Sequence, residues 1–317
     1  MICNKDDCTG CYACFNICPH HAIEMKEDEY GNIYPYQNNR CTHCGACNKV
    51  CPVLNKVDLH EHMTVYAMYS KDEKLRSTST SGGVATMLYK KILELGGIVY
   101  GASNLWGKKS FDFARIDNEK NLHLIRESKY VHCYVKDAYQ LVKQDLLQGK
   151  KVLFIGTPCQ IAGLKNYLMK SYDDLYTVDL VCHGVPSQRL LFDDITCNKI
   201  DLQDVYKVKF RDDNGFYFRV FENNGEEILS LKSNFDYYYR NFLKGTFYRE
   251  NCYSCQYTRK ERVADITIGD FWGLKNDCKI KDNVNKGISL VMTNTEKGND
   301  LIKSLENVAV EERTVDE

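Results

Sequence analysis

The chain has 317 residues, of which 44% are hydrophobic, and this length and composition allow one large core or two smaller ones. Its 42 lysines and arginines nearly balance 43 aspartates and glutamates, so no net charge favours nucleic acid or an anionic membrane as partner. No apolar run approaches the roughly 18 residues of a membrane span, and the amino terminus lacks the apolar segment of a secretory signal, so the sequence predicts a cytoplasmic protein.

Nine of the 16 cysteines lie within residues 1–51, where they form two runs of identical spacing. The runs read Cys8-x2-Cys11-x2-Cys14-x3-Cys18-Pro19 and Cys41-x2-Cys44-x2-Cys47-x3-Cys51-Pro52. In bacterial ferredoxins of this spacing, the first three cysteines of a run hold one four-iron cluster and the fourth crosses to the other cluster. The spacing therefore predicts two 4Fe-4S clusters. Their ligands are Cys8, Cys11, Cys14 and Cys51 for the first cluster, and Cys41, Cys44, Cys47 and Cys18 for the second.

A pair of structural zinc sites is the alternative interpretation of these runs. Zinc sites usually pair two C-x2-C knuckles across a loop, whereas here a triplet followed by a proline-flanked fourth cysteine occurs twice. A disulfide framework is disfavoured because the chain is long and lacks a secretory signal. Residues 1–56 are therefore predicted to form an α+β ferredoxin-like dicluster domain, in which Gly10 and Gly45 let backbone amides approach the sulfurs.

After a polar linker at 57–64, short apolar runs alternate with segments of helical length. Strands are predicted at 65–69, 96–103, 151–156 and 175–181, and helices around 83–95, 136–148, 160–170 and 187–199. This alternation is typical of an α/β domain. Three further runs at 206–211, 216–221 and 226–231 indicate an antiparallel meander. The sequence thus predicts an α/β domain with a mixed sheet over residues 65–317.

Four of the remaining cysteines are candidates for a third cluster. Cys159 follows the predicted strand 151–156, Cys182 ends the next strand, and Cys252-x2-Cys255 is a further thiol pair. If the two strands are parallel neighbours, their carboxyl ends lie side by side, where open α/β sheets bind ligands. The alternative is that Cys159 and Cys182 are ordinary buried apolar residues. Cys3 lacks such a setting and is interpreted as structural.

Several phrases of the larger region resemble the coenzyme F(420) hydrogenase/dehydrogenase beta subunit family. They are TSTSGGVAT (78–86), GKKVLFIGTPCQIAGLK (149–165), VDLVCHGVPS (178–187), FYRENCYSCQYTRKERVADITIGDFWG (247–273) and ISLVMTNTEKG (288–298). The resemblance implies a flavoprotein that holds FAD and one further 4Fe-4S cluster. Relatives tend to continue beyond the last residues of this chain, so its carboxyl terminus is expected to be shortened.

The predicted flavin site centres on the loop before the helix at 83–95. Its hydroxyls and the helix amides form a plausible cradle for pyrophosphate, and a glycine and a threonine after the strand 151–156 bring backbone close to a flavin or cluster. The alternative is a capped helix behind a flexible loop. The candidate residues are Thr78, Ser79, Ser81, Gly82, Gly83, Gly156 and Thr157. His183, Asp265 and Asp270 are candidates either for cofactor contact or for packing and turn roles.

The hydride carrier stays open at the level of sequence. Where relatives carry a lysine and a tryptophan, this chain has Asp213 and Phe216, and the missing cation disfavours the anionic coenzyme F(420). No GxGxxG motif indicates a nicotinamide cofactor. The carrier is therefore F(420)H2, NAD(P)H or another donor.

The leading hypothesis is a FAD-dependent iron–sulfur oxidoreductase that exchanges electrons between a hydride carrier and a ferredoxin or other redox partner protein. The alternatives are a polyferredoxin-like relay adaptor without flavin and a zinc-binding recruitment protein.

Overall fold

The amino-terminal module is built around the two cysteine runs. The computed structural model describes residues 2–104, 109–211, 215–275, 277–280 and 287–316. Each run contains a short helix, α1 (Ala13–Ile17) in the first and α2 (Ala46–Lys49) in the second. Between the runs, β1 (Ile23–Glu27) and β2 (Ile33–Gln37) pair antiparallel. Both helices begin after a residue with left-handed backbone, so the two halves of the module repeat one local conformation.

A mixed sheet forms the centre of the rest of the chain, as the sequence predicts, and it has eight strands among the described residues. The later strands are β3 (Thr64–Ser70), β4 (Ile98–Ala102), β5 (Phe113–Ile116), β6 (Val152–Gly156), β7 (Leu175–Leu180), β8 (Val205–Lys209), β9 (Tyr217–Glu222), β10 (Glu227–Lys232), β11 (Ile266–Asp270), β12 (Ser289–Thr293) and β13 (Val308–Arg313). The large sheet has the order β13-β3-β12-β11-β7-β6-β4-β5. Strands β11, β7, β6 and β4 are parallel neighbours, so their carboxyl ends meet at one edge.

Eight further α-helices follow the amino-terminal module within the described residues. They are α3 (Glu73–Ser77), α4 (Val84–Glu94), α5 (Ala138–Leu147), α6 (Pro158–Leu168), α7 (Gln188–Cys197), α8 (Tyr237–Lys244), α9 (Glu250–Tyr253) and α10 (Glu296–Lys303). Four of them, α4, α5, α6 and α10, pack on the large sheet. In β6, Val152 faces the core formed with α5 and α6, whereas Leu153 faces the core formed with α4 and α10, as the two-residue period of a strand requires. Within the described ranges, no helix has the length and apolar character of a bilayer span.

The amino-terminal module packs against α5 and α6 and shares their core. Cys11, Tyr12 and Ala13 are buried in the same apolar cluster as residues of both helices. The Asn16 side chain also donates to the carbonyl of Lys136 at 2.6 Å. The first cysteine run is therefore held directly against the large domain. The domain boundaries at residues 56 and 65 stay a prediction.

The meander forms its own sheet. Strands β8, β9 and β10 pair antiparallel in the order β10-β9-β8, close to the positions predicted for them. Phe210 and Phe218 pack there with Tyr238 and Tyr239 of α8. The large sheet is instead mixed because β5, β12 and β13 run antiparallel to their neighbours.

Candidate iron–sulfur and cofactor site

The cysteines of the two runs line two separate cavities. A cavity of about 20 Å³ has among its lining residues Cys8, Cys11, Cys14 and Cys51. A second cavity, of about 230 Å³, has among its lining residues Cys18, Cys41, Cys44 and Cys47. The structure thus brings together the two sets that the ferredoxin spacing predicts, including the exchange of the fourth cysteine between the runs. Four soft thiolates per cavity suit a four-iron cluster.

A ninth thiol lies at the first cavity. Cys3 also lines it, and its thiol interacts with the thiols of Cys51 and Cys8. These contacts, together with burial, raise the pKa of Cys3 above its ordinary value. The sequence interpretation of Cys3 as structural stays a prediction, but the fold places this thiol beside predicted cluster ligands although it lies outside both runs.

The carboxyl ends of β6 and β7 each lead to a cysteine predicted for the third cluster. After β6, Thr157 caps α6 in a capping box, and Cys159 lies in the first turn of that helix. Strand β7 pairs with β6 in parallel, and Cys182 follows it closely. Cys252 lies in α9 and Cys255 just after it. The fold therefore gathers the predicted thiols at one edge of the sheet.

These four thiols influence one another electrostatically. Cys159 interacts with Cys182 and Cys252. Cys182 interacts in turn with Cys252 and Cys255. Desolvation raises the pKa of Cys159 and of Cys252, so a metal centre must displace their protons. Among the residues that the structure describes, no three ligand side chains converge on a single ion. A four-iron cube does not need that geometry, because it takes one thiolate per iron.

A buried ion pair holds the loop after α9 against β7. Arg262 donates to Asp179 at 3.0 Å and to the carbonyl of Leu180 at 3.0 Å. The Asp179 carboxylate, which is fully buried, also accepts from the Val263 amide at 3.3 Å. Because its charge is paired and hydrogen-bonded, this contact fixes the loop beside Cys182.

Helix α6 connects the third thiol set to the first cavity. Gly163, one turn after Cys159, lies against Cys11, since a Cβ on Gly163 would be 3.0 Å from the Cys11 Sγ. Four residues of helix rise about 6 Å, so the helix spans the two sets in about one turn. Tyr257 interacts electrostatically with both Cys159 and Cys11, and burial raises the pKa of its phenol.

A pocket of about 300 Å³ opens at the carboxyl edge of the parallel strands. Its lining includes strand-end residues Ala102, Gly156, Leu180 and Asp270, and also Cys182. Open α/β sheets bind ligands at this edge, and the volume is at the lower end of the range for small-molecule sites. Because Cys182 belongs to both groups, the pocket lies directly beside the third thiol set.

Five of the seven residues predicted to hold a flavin line this pocket. They are Ser79, Ser81, Gly83, Gly156 and Thr157. The Thr78 hydroxyl instead bonds the carbonyl of Lys74 at 2.9 Å, and a Cβ on Gly82 would be 2.3 Å from the Met68 carbonyl oxygen. Helix α4 begins after Gly83 without a side-chain cap, so its first amides remain available to an anion.

Two cations at the pocket were not predicted from the sequence. Arg126 donates to the hydroxyl and the carbonyl of Thr78, and its Nε is buried without a hydrogen-bond partner among the described residues. Lys129 donates to the carbonyls of Arg126 and Glu127, and burial lowers its pKa to about 8. Both residues lie between β5 and α5, in a segment without a recognisable motif.

The other candidates separate into pocket and scaffold residues. His183 and Asp270 line the pocket. Asp265 immediately precedes β11, at the end of the strand opposite to Asp270. Its carboxylate accepts from the Thr177 amide at 2.8 Å and joins β11 to β7. Asp213, on which the doubt about coenzyme F(420) depends, lies outside the described residues.

Comparison with known proteins adds a family to this geometry. The model of the carboxyl-terminal region of the coenzyme F(420) hydrogenase/dehydrogenase beta subunit family matches residues 149–317. Two models of 4Fe-4S dicluster domains match residues 7–55 and 37–94. A chain in a xenon-derivatized structure of the F(420)-reducing NiFe hydrogenase complex from Methanosarcina barkeri is 19% identical, with a TM-score of 0.53 over 82% of this chain and 84% of that chain. At this identity the likeness shows the fold alone. No curated protein sequence matches.

Proposed function

The chain belongs to the coenzyme F(420) hydrogenase/dehydrogenase beta subunit family, and we propose that it is an iron–sulfur flavoprotein oxidoreductase. It is an iron–sulfur electron-transfer protein with a 4Fe-4S dicluster domain. The proposed activity is electron transfer between a hydride carrier at the pocket and a ferredoxin or other protein partner. When bound there, FAD would exchange the two electrons of a hydride singly with the clusters. Reduced thiols favour the cytoplasm as its compartment.

One observation carries this proposal: the pocket, the third thiol set and the first cavity are contiguous. Cys182 lines the pocket and interacts with Cys252 and Cys255. Helix α6 then leads from Cys159 to Gly163, which lies against Cys11. A chain of redox centres needs such short separations, and a single helical turn spans the last of them.

The pocket residues suit the phosphates and the ring of a flavin nucleotide. The uncapped amino terminus of α4 and the hydroxyls of Ser79 and Ser81 favour an anion. The unpartnered Nε of Arg126 is a further donor at the same loop. Lys129 adds a second cation at the pocket wall. We propose that these groups bind the pyrophosphate and that Gly156 and Thr157 let the ring approach the strand ends.

The third cluster is proposed to be held by Cys159, Cys182, Cys252 and Cys255. The amino-terminal end of α6 carries the positive end of the helix dipole, which stabilises negative charge at Cys159. The ion pair of Arg262 and Asp179 keeps the loop after α9 in place without adding net charge.

Iron content tests the third cluster. Anaerobically purified protein should contain about 12 irons per chain, and Cys159→Ser or Cys255→Ser should lower this to about 8, because each removes a ligand of one cube. Cys197→Ser, an exposed thiol at the end of α7, is the matched control and should change nothing. A wild-type value of about 8 that stays the same in both variants would remove the third cluster from the proposal.

Flavin content tests the pocket separately. Acid precipitation should release FAD that is detectable by fluorescence, and Arg126→Gln should retain less of it at unchanged iron content. Arg189→Gln, an exposed arginine of α7, is the control. Anaerobic mixing with NADH, NADPH, F(420)H2 and reduced ferredoxin would then identify the donor by bleaching of the flavin band. Iron-loaded protein without flavin would instead support a relay adaptor.

A further inference from the structure

Arg249 is a buried cation without a carboxylate partner among the described residues. It is fully buried. Its Nη2 donates to the carbonyl of Cys8 at 2.9 Å and its Nε to the side-chain oxygen of Asn251 at 3.3 Å. Its Nη1 is buried without a hydrogen-bond partner in the described part of the chain. The guanidinium also lies over the ring of Tyr34, 4.7 Å from its centroid.

Arg262, another buried arginine near the thiols, differs from Arg249 because it has a carboxylate partner. Arg262 is paired with Asp179 at 3.0 Å, so its charge is neutralised locally. A buried charge without such a partner is costly unless another group of opposite sign compensates it. For Arg249, the described neighbours that hydrogen-bond to it are neutral carbonyl and amide groups.

The position of Arg249 indicates which group compensates it. Its Nη2 bonds the Cys8 carbonyl, and its own carbonyl accepts from the Cys252 amide at 2.9 Å. Gly10, beside Cys11, packs on the guanidinium, since a Cβ there would be 3.2 Å from the Arg249 Cζ. Arg249 therefore lies between the first cluster loop and the third thiol set.

The neighbouring His132 does not supply a second charge. Burial, with a further contribution from Arg249, lowers the pKa of His132 well below its ordinary value, so the imidazole is neutral at pH 7. The local positive charge at the Gly10 turn is thus that of the guanidinium.

We propose that Arg249 is a positioning residue that raises the reduction potential of the first ferredoxin-type cluster. Four thiolates give a four-iron cluster a net negative charge, and one-electron reduction adds one more without a proton. A fixed buried cation beside Cys8 stabilises the reduced form more than the oxidised form. This role rests on the first-cluster ligands given above, and it requires neither the flavin nor the third cluster.

A potentiometric titration with dithionite, followed by electron paramagnetic resonance on the iron-loaded protein, measures this role. Arg249→Gln should lower the reduction potential of one cluster by at least about 59 mV, which is a tenfold change in its one-electron reduction equilibrium constant. The potential of the other ferredoxin-type cluster should stay unchanged. Arg249→Lys keeps the charge and should retain most of the potential. Equal losses in both variants would indicate a purely structural role and overturn the proposal, as would an unchanged potential in Arg249→Gln.

Two further variants control for charge and folding. Lys5 also lies over the Tyr34 ring, 5.0 Å from its centroid, but it is solvent-exposed and paired with Asp28. Lys5→Gln should shift the potential by less than about 18 mV, which is a twofold change in the reduction equilibrium constant. Asn251→Asp neutralises the guanidinium in place, so it should lower the potential even if Arg249→Gln fails to load iron. An unchanged potential in iron-loaded Asn251→Asp would overturn the proposal. Failure of the third cluster would appear separately, as about 8 irons per chain.

Discussion

Gly10 of the first cysteine run and His43 of the second occupy the same position in their runs, and both have left-handed backbone, with φ of +63° and +56°. A Cβ at Gly10 would be 2.8 Å from the Cε1 of His132. His43 is exposed. The spacing of the ligands fixes the backbone, but the surroundings decide which side chain it can carry.

At the next left-handed position, the glycine is in the second run and the larger residue is in the first. Tyr12 of the first run has φ of +67°, where the second run has Gly45. This conformation costs a residue other than glycine about 1–2 kcal/mol. The Tyr12 ring offsets this cost by burial, since it is 4% exposed and packs near the rings of Phe15 and Tyr134. A Cβ on Gly45 would contact nothing within 4 Å.

The thiols differ in the same direction. Cys8 and Cys11 are 7% and 8% exposed, whereas Cys44 is exposed. Two clusters with one ligand spacing should therefore differ in their access to solvent, oxidants and chelators. The first is the inner cluster and the second the outer cluster.

Replacing the cysteines that cross between the two runs should have the largest effect. Cys51→Ser should remove the inner cluster although Cys51 belongs to the second run, and Cys18→Ser should remove the outer cluster. Each loses about four irons. The iron left in Cys51→Ser should then be stripped rapidly by a chelator, and that in Cys18→Ser slowly. Chelation kinetics in the reverse order would show that the fourth cysteines do not cross.

Placing alanine at the two corresponding left-handed positions should separate the runs next. Gly10→Ala combines left-handed strain with a collision against His132, which together should cost about 3 kcal/mol in the free energy of unfolding. His43→Ala keeps the conformation in an open site and should change it by less than about 0.5 kcal/mol. Anaerobic urea titrations measure both. Equal losses would mean that the two turns are equally confined.

Acidification should act more weakly, through His132 beside the first run. Its pKa is lower in the folded chain than the ordinary value of about 6.5, mainly through burial. The folded state then binds fewer protons, so stability is present above that value and falls below it, by up to about 1.4 kcal/mol per pH unit. Urea titrations between pH 7 and pH 5.5 should show a slope that His132→Gln lacks. The same slope in both proteins would assign it to other groups.

The local patterns predicted much of this site. The cysteine spacing predicted which four cysteines of the two runs would come together at each cavity, without any tertiary information. The apolar runs at 151–156 and 175–181 predicted neighbouring strands, which placed Cys159 near Cys182. Each of these predictions depends on residues close in sequence or on the general rule that parallel strands end together.

The contacts that join the two parts of the chain were not predictable. Arg249 and Cys8 are 241 residues apart, and no periodicity relates Gly163 to Cys11. The two aspartates at the ends of β11 make the same point. Asp265 and Asp270 flank one strand symmetrically in sequence, and only its parallel pairing with β7 puts Asp270 at the pocket. Strand direction is a tertiary property.

Because Cys11, Tyr12 and α6 share one core, iron loading of the first run should also affect the stability of the larger domain. Metal binding should add to the folding free energy of the first run, because the cluster would be held by buried thiolates. A chain made under iron starvation would therefore leave the apolar face of α5 and α6 uncovered, and proteases remove such chains. Iron would then determine how much of the protein escapes proteolysis, and not only what fraction of it carries clusters.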